Sequence, residues 1–406
     1  MISISNNIEA NILIKHLNFL AFNRQASTSG EKKAINYIQN ELAERNIQNK
    51  TEPFEWSKRS VEKLTFLGFA CYIILYEILL ILLNSRWLYI ALFIILTSLF
   101  IITCVISFNF SHIIHVGKKR ESRNVIAEIS AQNERFKGPV VIFSTQHDSF
   151  SEKPYNRLQS FLYIFSAFLS LMYFLIKLIL ASWSFLYTLQ GLLFKYARIV
   201  SLFVGVVIVG LLIFTIYIKN IKETTYNASG VASLIELAKI LKSEPLNNIN
   251  VVLLWCGAEN LGLWGAKQYC AKNFFTLYKK YELEDSFLIN IANIGHYIGL
   301  VKKTGLVSRE KLSEKLNDVL EVSANNLKVS VKKIINPSWA RTNYMIFRSH
   351  AKKAEKNLQI SCFTTFGRFK SLQSTSTLPI NIRVENISNC VNICYNAIKS
   401  LDLRVE

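Results

Sequence analysis

No cleavable leader is expected from the start of the sequence. Its first fifteen residues hold Asn6, Asn7, Glu9 and Lys15, with no apolar run and no small-residue cleavage site. A disulfide framework is also missing. The seven cysteines, Cys71, Cys104, Cys256, Cys270, Cys362, Cys390 and Cys394, follow no paired pattern. Free thiols fit a reducing compartment. Cys390 and Cys394 stand close enough to share a metal, but no second pair accompanies them, so they read as neighbours on one helix face. There is no internal repeat and no low-complexity tract. Acidic residues are scarce: 28 Asp and Glu against 47 Lys and Arg leave a formal net charge of +19. Such an excess can mark nucleic-acid binding. No nucleic-acid motif accompanies it, and attraction to anionic lipid headgroups is the simpler reading.

Apolar residues are abundant and unevenly spread. They make up 51% of the 406 residues and concentrate in two blocks, Leu64–Phe108 and Phe161–Ile218. Each block is long enough for two crossings of a bilayer core at about 20 residues apiece. The expected spans are Leu64–Leu83, Trp87–Phe108, Phe161–Leu180 and Ile199–Ile218. The lipid bilayer is then an expected partner. Lys58, Arg59, Lys63, Lys118, Lys119, Arg120, Arg123, Lys153, Arg157, Lys219 and Lys222 flank one side of these spans. Arg86, Lys195 and Arg198 flank the other. The asymmetry predicts an integral membrane protein with both termini and the soluble domain in the cytoplasm. Two charges fall inside spans, Glu77 in the first and Lys177 in the third. Intramembrane charges are costly and usually paired, so the two are candidates for a pair. Alternatively, Lys177 snorkels to the far interface.

Removing the apolar blocks leaves pieces 1–63, 109–160 and 219–406, separated by hairpins over 64–108 and 161–218. Their pattern is α/β. Ser29–Arg45 reads as an amphipathic helix, with Ala34, Ile35, Ile38 and Leu42 on one face. Asn124–Ile129 alternates like a half-buried strand. Pro139–Ser144, Asn250–Trp255 and Phe287–Ala292 read as buried strands. Ala228–Lys242 and Val384–Leu401 read as helices. Alternating strands and helices predict a mostly parallel sheet with helices on both faces, interrupted by two transmembrane hairpins of four spans in all. Functional groups in such sheets sit at the carboxyl ends of strands. Gln146–Ser149, Gly257–Asn260 and Asn293–His296 fall there.

Four segments in order carry a resemblance. They are Asn124-Val-Ile-Ala-Glu-Ile followed by Ser144-Thr-Gln-His-Asp-Ser149, then Tyr226-Asn-Ala-Ser-Gly-Val-Ala232. Gly257-Ala-Glu-Asn-Leu-Gly-Leu-Trp-Gly265 and Asn290-Ile-Ala-Asn-Ile-Gly295 complete the set. Each opens at a predicted strand end or helix start. Together they resemble the co-catalytic zinc aminopeptidases and glutamate carboxypeptidases of peptidase clan MH. That resemblance implies two zinc ions sharing a bridging carboxylate, and a glutamate that takes a proton from the metal-activated water.

The ligand positions the resemblance implies are altered one by one. Aligning Asp148 and Ser149 puts Gln146 where the family has histidine. Tyr226 stands for the bridging aspartate. Glu259-Asn260 stands for the glutamate pair, with Glu259 at the base position and Asn260 at the ligand position. Ala292 replaces another aspartate, and Gln373 is the best match to the last histidine. These replacements are poor zinc ligands. Without metal, Glu259 reads as a cap on the following helix and Asp148 as a turn residue. A one-residue shift would instead make His147 the missing ligand, lining a sparser metal site with His296 and Glu259. The expectation is a membrane-anchored, catalytically inactive aminopeptidase-like protein with vestigial Glu259 and Asp148, and no cofactor or metal. It would act as a scaffold or bind a peptide or membrane-protein partner, with no nucleic acid. The alternative is an active zinc peptidase with a rearranged metal site. A transport role rests on Glu77 and Lys177 alone, and the spans lack the broken helices that transporters use.

Overall fold

The computed structural model describes residues 8–57, 119–133, 137–149, 192–217, 227–260, 262–304, 309–336, 342–365 and 382–405, with parts of 70–98 and 165–179. The chain divides into two units. One comprises Met1–Trp56, Arg120–Ser151 and Lys222–Glu406; the other comprises Ser57–Lys119 and Glu152–Ile221.

The first unit is built on a nine-stranded sheet. Its strands are β1 (Asn49–Ser57), β2 (Lys119–Ile129), β3 (Val140–Gln146), β4 (Asn250–Cys256), β5 (Phe287–Ala292), β6 (Ile298–Thr304), β7 (Glu310–Lys311), β8 (Val331–Asn336) and β9 (Gln359–Thr364). Their spatial order is β1-β2-β4-β3-β5-β9-β6-β7, with β8 on β6. The centre, β4-β3-β5-β9, is parallel. Both sides of that centre are antiparallel, through β2 on β4 and β6 on β9. The sheet is therefore mixed, with a parallel core.

The apolar runs of the central strands are explained by burial on both faces. Val141, Phe143, Val251, Leu253 and Trp255 enter one core with Ile289 and Ile291. Val140, Ile142, Val252, Leu254 and Leu288 enter the other. Alternate residues of one strand thus meet different helices, as a period of two requires. Helices α1 (Ala10–Phe19), α2 (Ser29–Ala43), α4 (Ala228–Ser243), α6 (Glu314–Asn326) and α8 (Val384–Asp402) supply the first core. Helices α5 (Trp264–Lys280) and α7 (Tyr344–Lys353) supply the second. Beneath α1, α2 and α4 lies a buried polar cluster. His16 meets the Tyr37 hydroxyl at 2.6 Å and Glu236 at 2.9 Å, and Lys239 meets Glu41 at 2.6 Å.

The second unit contains helix α3 (Leu192–Tyr217). Among the described residues, no helix is long and apolar enough to cross a membrane. This overturns the four expected spans, the transmembrane hairpins and the integral-membrane, cytoplasm-facing placement. The expected spans at 64–83, 87–108 and 161–180 lie largely outside the described residues, and the fourth coincides with α3. The reason for the error is physical: an apolar run looks the same whether its helix faces lipid or packs on other helices. Here Ile208 of α3 packs with Tyr72, Ile73 and Tyr173. Polar groups are satisfied inside the same unit. Tyr72 and Thr97 share a hydrogen bond at 3.1 Å. Lys177 donates to Ser201 at 2.8 Å and lies 5.1 Å over the Tyr173 ring. The expected partner Glu77 lies outside the described residues.

Candidate functional site

The carboxyl ends of β3 and β5 meet at one residue, Asn227, which precedes α4 in a left-handed conformation with φ 56°. Its Nδ2 donates to the Gln146 carbonyl at 2.6 Å and to Thr145 Oγ1 at 3.0 Å. Its Oδ1 accepts from the Asn293 main-chain N–H at 2.5 Å. Thr145 in turn donates to the Ile291 carbonyl at 2.7 Å. One carboxamide thus fixes two strand ends and a helix start. Gly230 follows within the first turn of α4, where the chain has no room for a side chain. A Cβ there would stand 2.6 Å from Thr145 Oγ1 and 2.8 Å from the Ile291 carbonyl.

Asp148 lies just past β3 and is buried. Its carboxylate accepts from the main-chain N–H groups of Glu259 and Asn260, both at 3.2 Å, and from Asn260 Nδ2 at 3.0 Å. These bonds pin the loop after β4 to the loop after β3. Burial still lifts the Asp148 carboxyl to about 6, because desolvation outweighs the donors and the nearby Arg24 charge. Arg24 is fully buried; it donates to the His147 carbonyl at 2.8 Å, and its own main chain pairs with Ser149. Burial lowers its guanidinium to about 10.

His147 is sealed from solvent. Its main-chain N–H extends the β3–β4 ladder to the Cys256 carbonyl at 2.9 Å. Its Nε2 meets the Arg123 carbonyl at 2.9 Å, which makes Nε2 the protonated nitrogen. Nδ1 is left with a buried lone pair and no partner. Burial pushes this imidazole down to about 4.

Glu259 is buried at the mouth of α5. Oε1 accepts from the Ala266 N–H at 2.7 Å, in the first turn of that helix. Oε2 is buried without a partner. Burial, then the Asp148 charge, pushes this carboxyl well above the usual carboxylate range. Glu31, in the first turn of α2, accepts from the Ser27 N–H at 2.5 Å and from the Ser122 hydroxyl. Burial raises it to about 7, opposed by those two donors.

Gln146, His147, Asp148, Glu259 and Asn260 are therefore brought together at the ends of β3 and β4. Ala292 ends β5 and presents only a methyl group. His296 lies outside the cluster in character: it is exposed, with its ring edge-on to Tyr297 at 4.7 Å. Tyr226 and Gln373 lie outside the described residues. Three participants were missed in the sequence. Arg24 sits in a loop with no local signal. Asn227 and Asn293 stand within the motifs without a role of their own there, although asparagine is, after glycine, the residue most ready to adopt the left-handed conformation each has, φ 56° and 49°.

The donor set does not fit a zinc pair. The Asp148 lone pairs are occupied by three N–H donors, Glu259 holds a helix start, and Ala292 has no donor atom. Among the described residues no group of three His, Cys, Asp or Glu side chains is arranged to hold a metal.

Residues 225–351 match peptidase family M28. No curated protein matches the chain. An aminopeptidase from Aneurinibacillus sp. strain AM-1 is similar in structure, with a TM-score of 0.55 at 12% identity, over 98% of this chain and 94% of that one. A Zn-dependent exopeptidase from Parabacteroides distasonis aligns at 0.52 and 11% identity, over 98% and 99%. A glutaminyl cyclase from Fimbriiglobus ruber aligns at 0.52 and 11%, over 98% and 96%. At these identities the likeness shows the fold: a mixed α/β fold like that of zinc aminopeptidases.

Proposed function

We propose that this chain is a relative of the M28 peptidases that binds a peptide or protein segment at its strand ends and does not hydrolyse it. The observation that carries this reading is how its two remaining acids are engaged. Glu259 is buried and bonded to the Ala266 N–H, and Asp148 accepts from the backbone of the neighbouring loop. A general base must be within reach of the proton it removes and ready to accept it. Both acids instead hold loops in place. Asn227 holds the ends of β3 and β5 to the start of α4, and this framework is where we place binding. Two measurements test the proposal. Elemental analysis after chelator-free purification is expected to give far less than one equivalent of zinc. Aminoacyl and dipeptide substrates are expected to remain uncut. One or more equivalents of zinc, lost together with activity on His147→Ala, would replace this reading with that of an active peptidase using the unpaired His147 Nδ1 as a ligand.

A further inference from the structure

A cavity of about 110 Å³ lies between the β1-β2-β4 side of the sheet and α5, near the amino end of β4. It is separate from the strand ends described above, and its role does not depend on theirs. Even-numbered strand positions face it: Glu52 of β1, Ile126 and Glu128 of β2, and Val252 of β4. Tyr269, Asn273, Leu277 and Lys280 face it from one side of α5, three or four residues apart.

Three polar groups there keep bonding capacity. Tyr269 is 3% exposed, yet its hydroxyl has no hydrogen-bond partner among the described residues. Burial, followed by Cys270, Glu128 and Glu52, pushes this phenol well above the usual tyrosine range, so it stays a donor. A largely buried hydroxyl of this kind is normally met by a ligand or water. Glu52 accepts from Asn273 Nδ2 at 2.9 Å through Oε2. Its Oε1 meets only the Lys50 and Lys272 ammoniums, at 4.0 and 3.9 Å. Lys50 Nζ lies 4.0 Å from Glu52 and 3.7 Å from Glu128, beyond hydrogen-bond distance of both. Glu128 is held instead by Lys280 at 3.1 Å.

These groups call for both signs of charge in one small molecule. Glu52 Oε1 is best met by an ammonium, and Lys50 with Tyr269 by a carboxylate. An anion alone would face Glu52 and Glu128, and a cation alone would face Lys50 and Lys280. A zwitterion avoids both repulsions. At roughly 10–15 Å³ for each water-sized position, the volume admits about seven to eleven non-hydrogen atoms, the size of an α-amino acid. Ile126, Val252 and Leu277 add apolar surface suited to an aliphatic side chain.

We infer that this cavity binds a free aliphatic α-amino acid, with its ammonium on Glu52, its carboxylate on Lys50 and Tyr269, and its side chain against Ile126, Val252 and Leu277. The probe is L-valine, titrated calorimetrically into the full chain at about pH 6.5, where an α-amino group is charged. Two analogues keep the skeleton: valinamide lacks the carboxylate, and 3-methylbutanoate lacks the amine. Valine is expected to bind, and each analogue at least about tenfold more weakly, as the loss of a charge-assisted hydrogen bond requires. Tyr269→Phe and Glu52→Gln are each expected to weaken valine binding at least about fivefold, with circular dichroism unchanged. The analogue comparison uses the unaltered chain, so it decides even where a variant folds poorly. Valine binding that survives both substitutions would place the amino acid elsewhere and overturn the inference. Equal binding of either analogue, or no valine binding at about 10 mM, would overturn it as well.

Discussion

Glu259 shows how a buried carboxyl serves a fold through its hydrogen bonds. Its role is that of a cap, so a neutral isostere should serve as well. Glu259→Gln keeps an acceptor for the Ala266 N–H and is expected to change unfolding free energy by less than about 1 kcal/mol. Glu259→Ala removes the acceptor and is expected to cost about 1–2 kcal/mol in urea unfolding. If the two variants were equally destabilised, the capping role would be wrong. Glu31 makes a pH prediction. Its carboxyl is raised by burial from 4.5 to about 7, so the folded chain binds the proton more tightly than the unfolded one. The stability this contributes is fully present below about pH 4.5 and is lost as pH rises through 7. His147 acts in the opposite direction. Its imidazole is lowered from 6.5 to about 4, so its contribution is present above 6.5 and lost as pH falls through 4. Denaturant midpoints across pH 4–8 for the unaltered chain and Glu31→Gln are expected to diverge, with the unaltered chain losing ground relative to the variant between pH 4.5 and 7.

Among the elements, what could be read from residues alone followed burial. The strand expected at Phe287–Ala292 has those bounds, and the helix expected at Ser29–Arg45 runs Ser29–Ala43. The strand is nearly all apolar and the helix keeps one clear apolar face, because both are packed against the core. Strands β1, β6, β7, β8 and β9 were not read. In β1 and β8, charged residues such as Lys50, Glu52, Lys332 and Lys333 mask the alternation, as is common at sheet edges. The antiparallel flanks are not legible for a different reason: direction is set by tertiary pairing and leaves no mark on local pattern. The motif residues of the candidate site were legible, since loops after strand ends keep distinctive spacing. Arg24 was not, because its partners His147 and Ser149 lie more than a hundred positions away. Asn227 shows the strength of such distant ties. Asn227→Ala removes three hydrogen bonds and places alanine at φ 56°, and is expected to destabilise by about 3–5 kcal/mol. Gly230→Ala, with no room for its Cβ, is expected to cost about 2–4 kcal/mol. Thermal unfolding of both variants measures this, and a loss under 1 kcal/mol in either would contradict the packing described.

At the scale of the whole molecule, α3 presents two contrasting faces. Ser201, Gly205 and Ile208 are buried along one side, whereas Ile199, Phe203 and Val206 are exposed along another, Phe203 at 70%. Exposed apolar rows of this kind favour association. Sedimentation of the purified chain in plain buffer is expected to show self-association that weakens on Phe203→Lys with Val206→Glu; unchanged sedimentation would show that this face plays no part. The sheet carries a different consequence, for time rather than energy. Val140 pairs with Asn250 and Val141 with Phe287, partners more than a hundred residues apart, and the intervening chain includes the whole of α3. During synthesis β3 must wait, unpaired on both edges, until β4 and β5 have emerged. Non-local parallel pairing is slow to nucleate, and at about 5–20 residues per second that wait lasts many seconds. The central strand of the finished sheet is thus the longest-exposed edge of the nascent one, and the rate at which the ribosome delivers residues 250–292 sets how long it stays open to wrong partners.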